Sequence, residues 1–321
     1  MTRLLSEALH IPTNAPVPVI SVAPVTLSAP GRALDLEVRI SAPVSGHDLP
    51  VIVLSHGHGP SLYLPSLHGY GPLVNFWAAH GFVVIQPTHL SARSYALGSE
   101  TPGAPLFWRS RVEDMSRVLD QLDAIEAAVP GLTGRLNRDR VAAVGHSMGG
   151  QTVGMLLGAR LTDPRDDTAI DVNLMDSRFR AGVLLAAPGS GRHLSSFAAE
   201  NYSALNPDFS HMTTPALVVA GDADINPHLN VRGAAWHADP YHLSHGPKSL
   251  LTLAGGGHGL GGIAGYDAKE TTDEDPDRLG AVQRLSWAYL RSALDPADPA
   301  WSAACAALQG SAKSLGSVES K

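Results

Sequence analysis

Short apolar runs that alternate with stretches of helical spacing constrain this chain more than any other feature. The runs are Val51-Ile52-Val53-Leu54, Phe82 to Gln86, Val141-Ala142-Ala143-Val144, Gly182 to Ala187, Ala216 to Ala220 and Ser249 to Leu253. A strand that is apolar on both sides must be covered on both sides, which is the condition of a parallel sheet between two helical layers. The helical pieces between the runs are Tyr70 to His80, Trp108 to Ala128, Gln151 to Arg160 and Ala281 to Leu294. In the second, Val112, Met115, Val118, Leu119, Leu122 and Ile125 share one face; in the last, Trp287 and Leu290 face inward. Leu34 to Ile40 alternates apolar and polar residues, as an edge strand does. Residues 1–30 are Pro-rich and are expected to form an irregular arm, with residues 31–321 a single domain of the α/β class. Ligands of such sheets bind beyond the carboxyl ends of the strands, so the loops after the runs are where chemistry is to be sought.

Several classes of function fall away. The net charge is −7 and no Lys/Arg-rich run occurs, so neither nucleic acid nor an anionic membrane is an expected partner. No stretch reaches the ~18 apolar residues of a membrane span. Met1 to Ile20 carries prolines where a signal peptide needs an apolar core, so a cytoplasmic location is expected. The single cysteine, Cys305, rules out an intrachain disulfide and a cysteine-clustered zinc site; it is expected to pack on a C-terminal helix. The trio His237, His242 and His245 lacks regular ligand spacing, and His56 with His58 has another explanation in the loop after the first run, so no metal is expected. Gly255-Gly256-Gly257 and Gly261-Gly262 lack the Lys-Ser/Thr of a phosphate loop. Three segments break the alternation: 89–107, 163–178 and 226–247. The first, with Tyr95, Leu97, Leu106 and Phe107, is the expected substrate wall, and the acidic second a solvated connector.

Gly145-His146-Ser147-Met148-Gly149 follows the run Val141 to Val144 directly. A G-x-S-x-G between a strand and a helix is a sharp turn with the serine exposed at its tip, and its glycines give the turn room. A serine hydroxyl is a poor nucleophile unless a histidine takes its proton and a carboxylate orients that histidine. In this strand-turn-helix arrangement the three arrive in the order Ser, Asp/Glu, His. Gly221-Asp222-Ala223-Asp224 follows the run 216–220, and Gly257-His258-Gly259 follows the run 249–253. Alone, either aspartate reads as a turn former and His258 as a loop residue; the order of the three makes them candidates. The backbone N–H of Met148, next after the serine, would be one donor to a developing oxyanion.

Leu54-Ser55-His56-Gly57-His58-Gly59, the elbow Gly145 to Gly150, Gly221 to Asp224 and Gly257-His258-Gly259 together resemble the α/β-hydrolases. Within them the likeness is to predicted dienelactone hydrolases, chlorophyllases and platelet-activating-factor acetylhydrolases. It covers Val51 to Leu294, and its motifs are specific to the superfamily rather than to one substrate. The resemblance implies an α/β-hydrolase fold and a cofactor-independent serine esterase, with Ser147 as nucleophile and His258 as general base and acid. It points to Asp224 as the orienting acid, with Asp222 the alternative, and maps the second oxyanion donor onto the backbone N–H of His58, with His56 bracing the loop. Dienelactone hydrolases proper carry a cysteine where this chain has Ser147, which moves the expectation to ordinary esters: short-acyl, lactone or polyester-type, as small molecules or polymer. Tyr63, Phe107 and Trp108 are the expected substrate-binding residues, each with core packing as the plain alternative. Other functions compatible with the same residues are an amidase or peptidase, a hydrolase of phospholipid or chlorophyll-type esters, and a non-catalytic binding protein on this scaffold.

Overall fold

The apolar runs become neighbouring strands. The computed structural model describes residues 7–65, 67–311 and 314–321. Its strands are β1 (Val19–Leu27), β2 (Leu36–Pro43), β3 (Leu49–Ser55), β4 (Val83–Pro87), β5 (Leu136–His146), β6 (Arg160–Leu161), β7 (Phe179–Leu185), β8 (Pro207–Asp208), β9 (Ala216–Gly221), β10 (Lys248–Leu253) and β11 (Gly316–Ser320). β6 and β8 form a small separate ribbon, and the rest form one nine-stranded sheet in the order β1-β2-β4-β3-β5-β7-β9-β10-β11. From β4 to β10 every pairing is parallel; β1–β2, β2–β4 and β10–β11 are antiparallel. The chain is thus an α/β protein with a mostly parallel central sheet.

The helices are α1 (Gly71–Ala79), α2 (Trp108–Asp120), α3 (Leu122–Ala128), α4 (Met148–Leu156), α5 (Ser196–Asn201), α6 (Asp239–His242), α7 (Pro276–Leu294) and α8 (Ala300–Gln309). Successive strand residues point to opposite faces, so one apolar strand feeds two cores. Val51 and Val53 join Val112, Met115 and Val118 of α2 and Ile125 of α3. Ile52 and Leu54 join Leu73 and Trp77 of α1 and Val282 and Leu285 of α7. Two indoles pin the second layer: Trp77 Nε1 donates to Ser286 Oγ (3.1 Å) and Trp287 Nε1 to the His80 carbonyl (3.0 Å). Among the described residues no helix is long and apolar enough to cross a membrane.

The structure departs from the sequence reading at the margins. Residues 19–27 of the expected irregular arm form the outermost strand, which makes β2 an inner strand rather than the edge. Pro24 is compatible with this because β1 is an edge strand whose register shifts between Val22 and Val25. The long helix 108–128 is two helices, broken at Gln121, whose side chain donates to the Ser28 carbonyl at 3.0 Å. The helix placed at 151–160 begins at Met148, against the serine, and gives way at Gly158, which takes φ 113°. Cys305 does lie on a C-terminal helix, α8.

Trp77 is fully buried between α1 and α7. Trp77→Ala should lower unfolding free energy by about 3–5 kcal/mol through the cavity it leaves, read as a shift of the urea midpoint; a shift worth less than ~1 kcal/mol would show that this layer is not part of the cooperative core.

Candidate active site

Ser147 sits where β5 ends and α4 begins, with φ 53° and ψ −121°, a conformation that L-residues adopt only when their surroundings impose it. Those surroundings are tight. Ser147 N donates to the Leu185 carbonyl (2.8 Å), and its own carbonyl accepts from Gly150 N (2.7 Å). A Cβ at Gly145 would run into the Gly149 carbonyl, and one at Gly149 into the Ser55 carbonyl at the end of β3. The two glycines of the motif therefore let the turn close on itself and let α4 approach the sheet.

The loops after β9 and β10 bring the other two candidates to this serine. His258 Nε2 lies 2.9 Å from Ser147 Oγ, and His258 Nδ1 lies 2.8 Å from Asp224 Oδ2. With Asp224 ionised, Nδ1 carries the proton and Nε2 is left to accept from the serine hydroxyl. Burial pushes the Asp224 carboxyl up, but the hydrogen bond from His258 and the nearby rings of His258 and His237 outweigh it and hold it below its ordinary value. Asp222, the alternative, is exposed and accepts from Gly255 N at 2.7 Å, which ties the two loops together without reaching His258. The His258 loop is held in turn by Asp273 Oδ2, which accepts from Gly257 N (2.9 Å) and Gly261 N (3.2 Å).

The loop after β3 is fixed from several sides. His56 braces it: Nδ1 donates to the Gly57 carbonyl (2.7 Å), and Nε2 accepts from His89 N (3.0 Å). Gly57 N donates to Tyr70 Oη (2.9 Å), Tyr70 Oη–H to His146 Nδ1 (2.8 Å), and His146 Nε2–H to the His258 carbonyl (2.8 Å). Arg111, fully buried on α2, donates to the His56 carbonyl, to Ser91 Oγ (2.6 Å) and weakly to Thr152 Oγ1 (3.4 Å). Burial pushes this guanidinium down to about 10, so it is a cation at neutral pH directly behind the loop. The N–H groups of His58 and Met148 are engaged in no hydrogen bond among the described residues.

A second chain of the same residue types lies close by. Ser55 Oγ is 2.9 Å from His89 Nε2, and His89 Nδ1 is 2.9 Å from Asp114 Oδ2. All three are sealed from solvent, and Asp114 is also paired with Arg32 at 2.9 Å. Burial therefore separates the two serines: Ser147 borders a cavity of about 510 Å³, while Ser55 is fully buried and does not line it.

The structure does not bring Tyr63, Phe107 or Trp108 to the large cavity at Ser147. Phe107 is buried at the start of α2 with φ 50°, Trp108 belongs to the core under α2, and Tyr63 packs on the α1–α7 core. Its apolar wall includes Leu106, Met148, Pro188, Tyr202, Leu205 and Leu229, and Arg93, Asn226 and His228 also line it, so the segment 89–107 contributes Arg93 and Leu106 rather than its aromatics. His58 lies at the cavity edge with its side chain exposed.

His237 was legible only as one of a histidine trio, and His242 and His245 of that trio are exposed and apart from it. Its Nδ1 donates to the Ala187 carbonyl (2.8 Å), and its Nε2 lies 3.1 Å from Asp224 Oδ2, without hydrogen-bond alignment. Burial pushes its pKa down against the pull of the Asp224 charge, which keeps the ring neutral and Asp224 available to His258. Asp224, His237 and His258 are the one group among the described residues whose donor atoms could hold a metal ion, within 4.8 Å of one another. A proton between Asp224 and His258 already occupies the shortest of those contacts. Arg111 and Asp114 had a signal in the sequence: both fall on the apolar face of α2, at helical spacing to Trp108, Met115 and Val118.

Two measurements follow from this arrangement. His56, His89 and His146 are buried, and burial lowers each pKa, that of His146 to about 3. The unfolded chain binds these protons near pH 6.5, so stability is full above that pH and is lost as pH falls below it, by up to ~1.4 kcal/mol per pH unit for each histidine. Asp114, raised to about 6 by burial, works in the opposite sense but is one group against three. Tm should therefore drop from pH 7 to pH 5, and a flat Tm across that window would contradict neutral buried histidines. Tyr70→Phe strands the Gly57 N–H and His146 Nδ1 and should cost about 1–3 kcal/mol in urea unfolding; an unchanged midpoint would show that neither group depends on the hydroxyl. Compared with known proteins, the chain matches no family model, and no curated protein matches it.

Proposed function

We propose that this chain is a serine carboxylic-ester hydrolase of the α/β-hydrolase type. The observation that carries the reading is the continuous chain Ser147–His258–Asp224, with hydrogen bonds of 2.9 and 2.8 Å, at the carboxyl ends of β5, β9 and β10. Ser147 Oγ attacks the ester carbonyl while His258 Nε2 takes its proton, and Asp224 holds the resulting imidazolium. The carbonyl oxygen becomes negative and turns to the N–H groups of Met148 and His58. His258 returns the proton to the departing alcohol, which leaves an acyl-enzyme. A water then gives its proton to His258 and attacks the acyl carbon, and His258 returns that proton to Ser147 Oγ as the acid is released. Each proton is carried by His258, so the reaction as written needs no cofactor.

Arg111 supports the same reading: a buried cation behind the loop of His56 to His58 favours negative charge on the far side of those peptides. The His258 ring, more exposed than its partner Asp224, leaves room for substrate and water to reach Nε2.

A fluorophosphonate probe should label wild type at Ser147 and leave Ser147→Ala unlabelled. Ser147→Ala should lower ester kcat by at least about 10⁴-fold while the protein stays folded. Asp224→Asn should cost on the order of 10⁴-fold and Asp222→Asn within about tenfold. Retained turnover in Ser147→Ala sinks the nucleophile assignment, and the reverse ranking of the aspartates sinks the choice of acid.

A further inference from the structure

Two cavities meet at Ser147 and His58, and they differ greatly in size. One is about 510 Å³, walled by Leu106, Met148, Pro188, Tyr202, Leu205 and Leu229. The other is about 30 Å³, bounded by Gly57, Leu64, His146, His258, Glu270 and Thr271 among others. Only the small one of the two is lined by His258.

That asymmetry assigns the two halves of an ester. When the tetrahedral intermediate collapses, the bond between the acyl carbon and the alcohol oxygen breaks, and the oxygen must receive the proton held on His258 Nε2. The alcohol therefore leaves on the side that His258 lines. The acyl group stays bonded to Ser147 Oγ and extends to the other side. The space beside His258 is about that of one water molecule, which suits a methanol-sized group and afterwards the water that cleaves the acyl-enzyme. The larger space is the size of a small-ligand site, and its wall is largely apolar. No Asp or Glu lines it; its polar side chains include Arg93, Asn226 and His228 beside the apolar wall.

We propose that the site takes esters in which a bulky, largely apolar acyl group is joined to a small, unbranched alcohol, an inference that rests on Ser147 being the nucleophile. Recognition is then of the acid, and the alcohol is excluded by size rather than selected. Leu64 and Thr271, both buried, set the limit on the alcohol side.

The test uses two ester series on the wild-type chain, with acid release followed by titration, and fluorophosphonate labelling of Ser147 in parallel. Among methyl esters, kcat/KM should rise about tenfold or more from acetyl to hexanoyl or benzoyl. Among hexanoyl esters, it should fall about tenfold or more from methyl to isopropyl. Leu64→Ala should raise the isopropyl-to-methyl ratio by about tenfold; if that protein does not fold, Thr271→Ala makes the same comparison. Flat series, a preference for large alcohols, or labelling of Ser147 with turnover of neither series overturns the substrate assignment while the nucleophile stands. Absence of both labelling and turnover removes the hydrolase reading and this inference with it.

Discussion

The loops of the site are joined by a hydrogen-bond chain that can run in one direction only. Gly57 N–H can only donate, so Tyr70 Oη accepts from it and gives its own proton to His146 Nδ1. That leaves the proton of neutral His146 on Nε2, where it meets the carbonyl of His258. No other tautomer satisfies all of the groups. The chain crosses from the loop after β3, through the first residue inside the elbow motif, to the loop after β10. The relative position of the His58 loop, the Ser147 elbow and the His258 loop is thus tied through one phenol hydroxyl buried beside α1. Burial is what makes the chain dependable, because a charged His146 would have no lone pair to offer Tyr70.

Beneath the site, α2 carries two charged residues where an amphipathic helix would carry leucines. Asp114 is neutralised by Arg32 and bonded to His89, while Arg111 meets only neutral acceptors among its hydrogen-bond partners. Burying them costs solvation energy that the fold must recover elsewhere. What they provide is rigidity and a positive charge under the His56 carbonyl. The sealed Ser55–His89–Asp114 chain belongs to this support; it matches the Ser147–His258–Asp224 chain in residue types and distances and differs from it in access.

Most of the fold was legible because its evidence is local. Each parallel strand is an apolar run, and the elbow and its partners follow those runs in chain order, so Ser147, Asp224 and His258 could be named from the sequence and its family likeness. The choice between Asp222 and Asp224 needed the loop itself, which turns one carboxylate back to Gly255 and the other inward to His258. β1 was obscured by Pro24, and β11, Gly316-Ser317-Val318-Glu319-Ser320, has no apolar run at all; it is a strand because β10 offers it a ladder. Phe107 and Trp108 misled because aromatic residues mark walls and cores alike. Tyr70 and His237 act across 50 to more than 70 residues of sequence, and no short pattern announces them; Arg111 and Asp114 were marked only by charge on the apolar face of α2.

β11 has a significance beyond completing the sheet. It lies antiparallel along β10, and Lys321 continues the pairing, with its N–H on the Lys248 carbonyl (2.9 Å) and its carbonyl on the Lys248 N–H (3.1 Å). Without that cover, β10 would present a row of unpaired amides along Ser249-Leu250-Leu251-Thr252-Leu253, the kind of edge that recruits strands from other molecules. A polar segment thus stands between the strand that leads into the His258 loop and self-association, so cleavage by a protease near residue 314 would be felt first as aggregation.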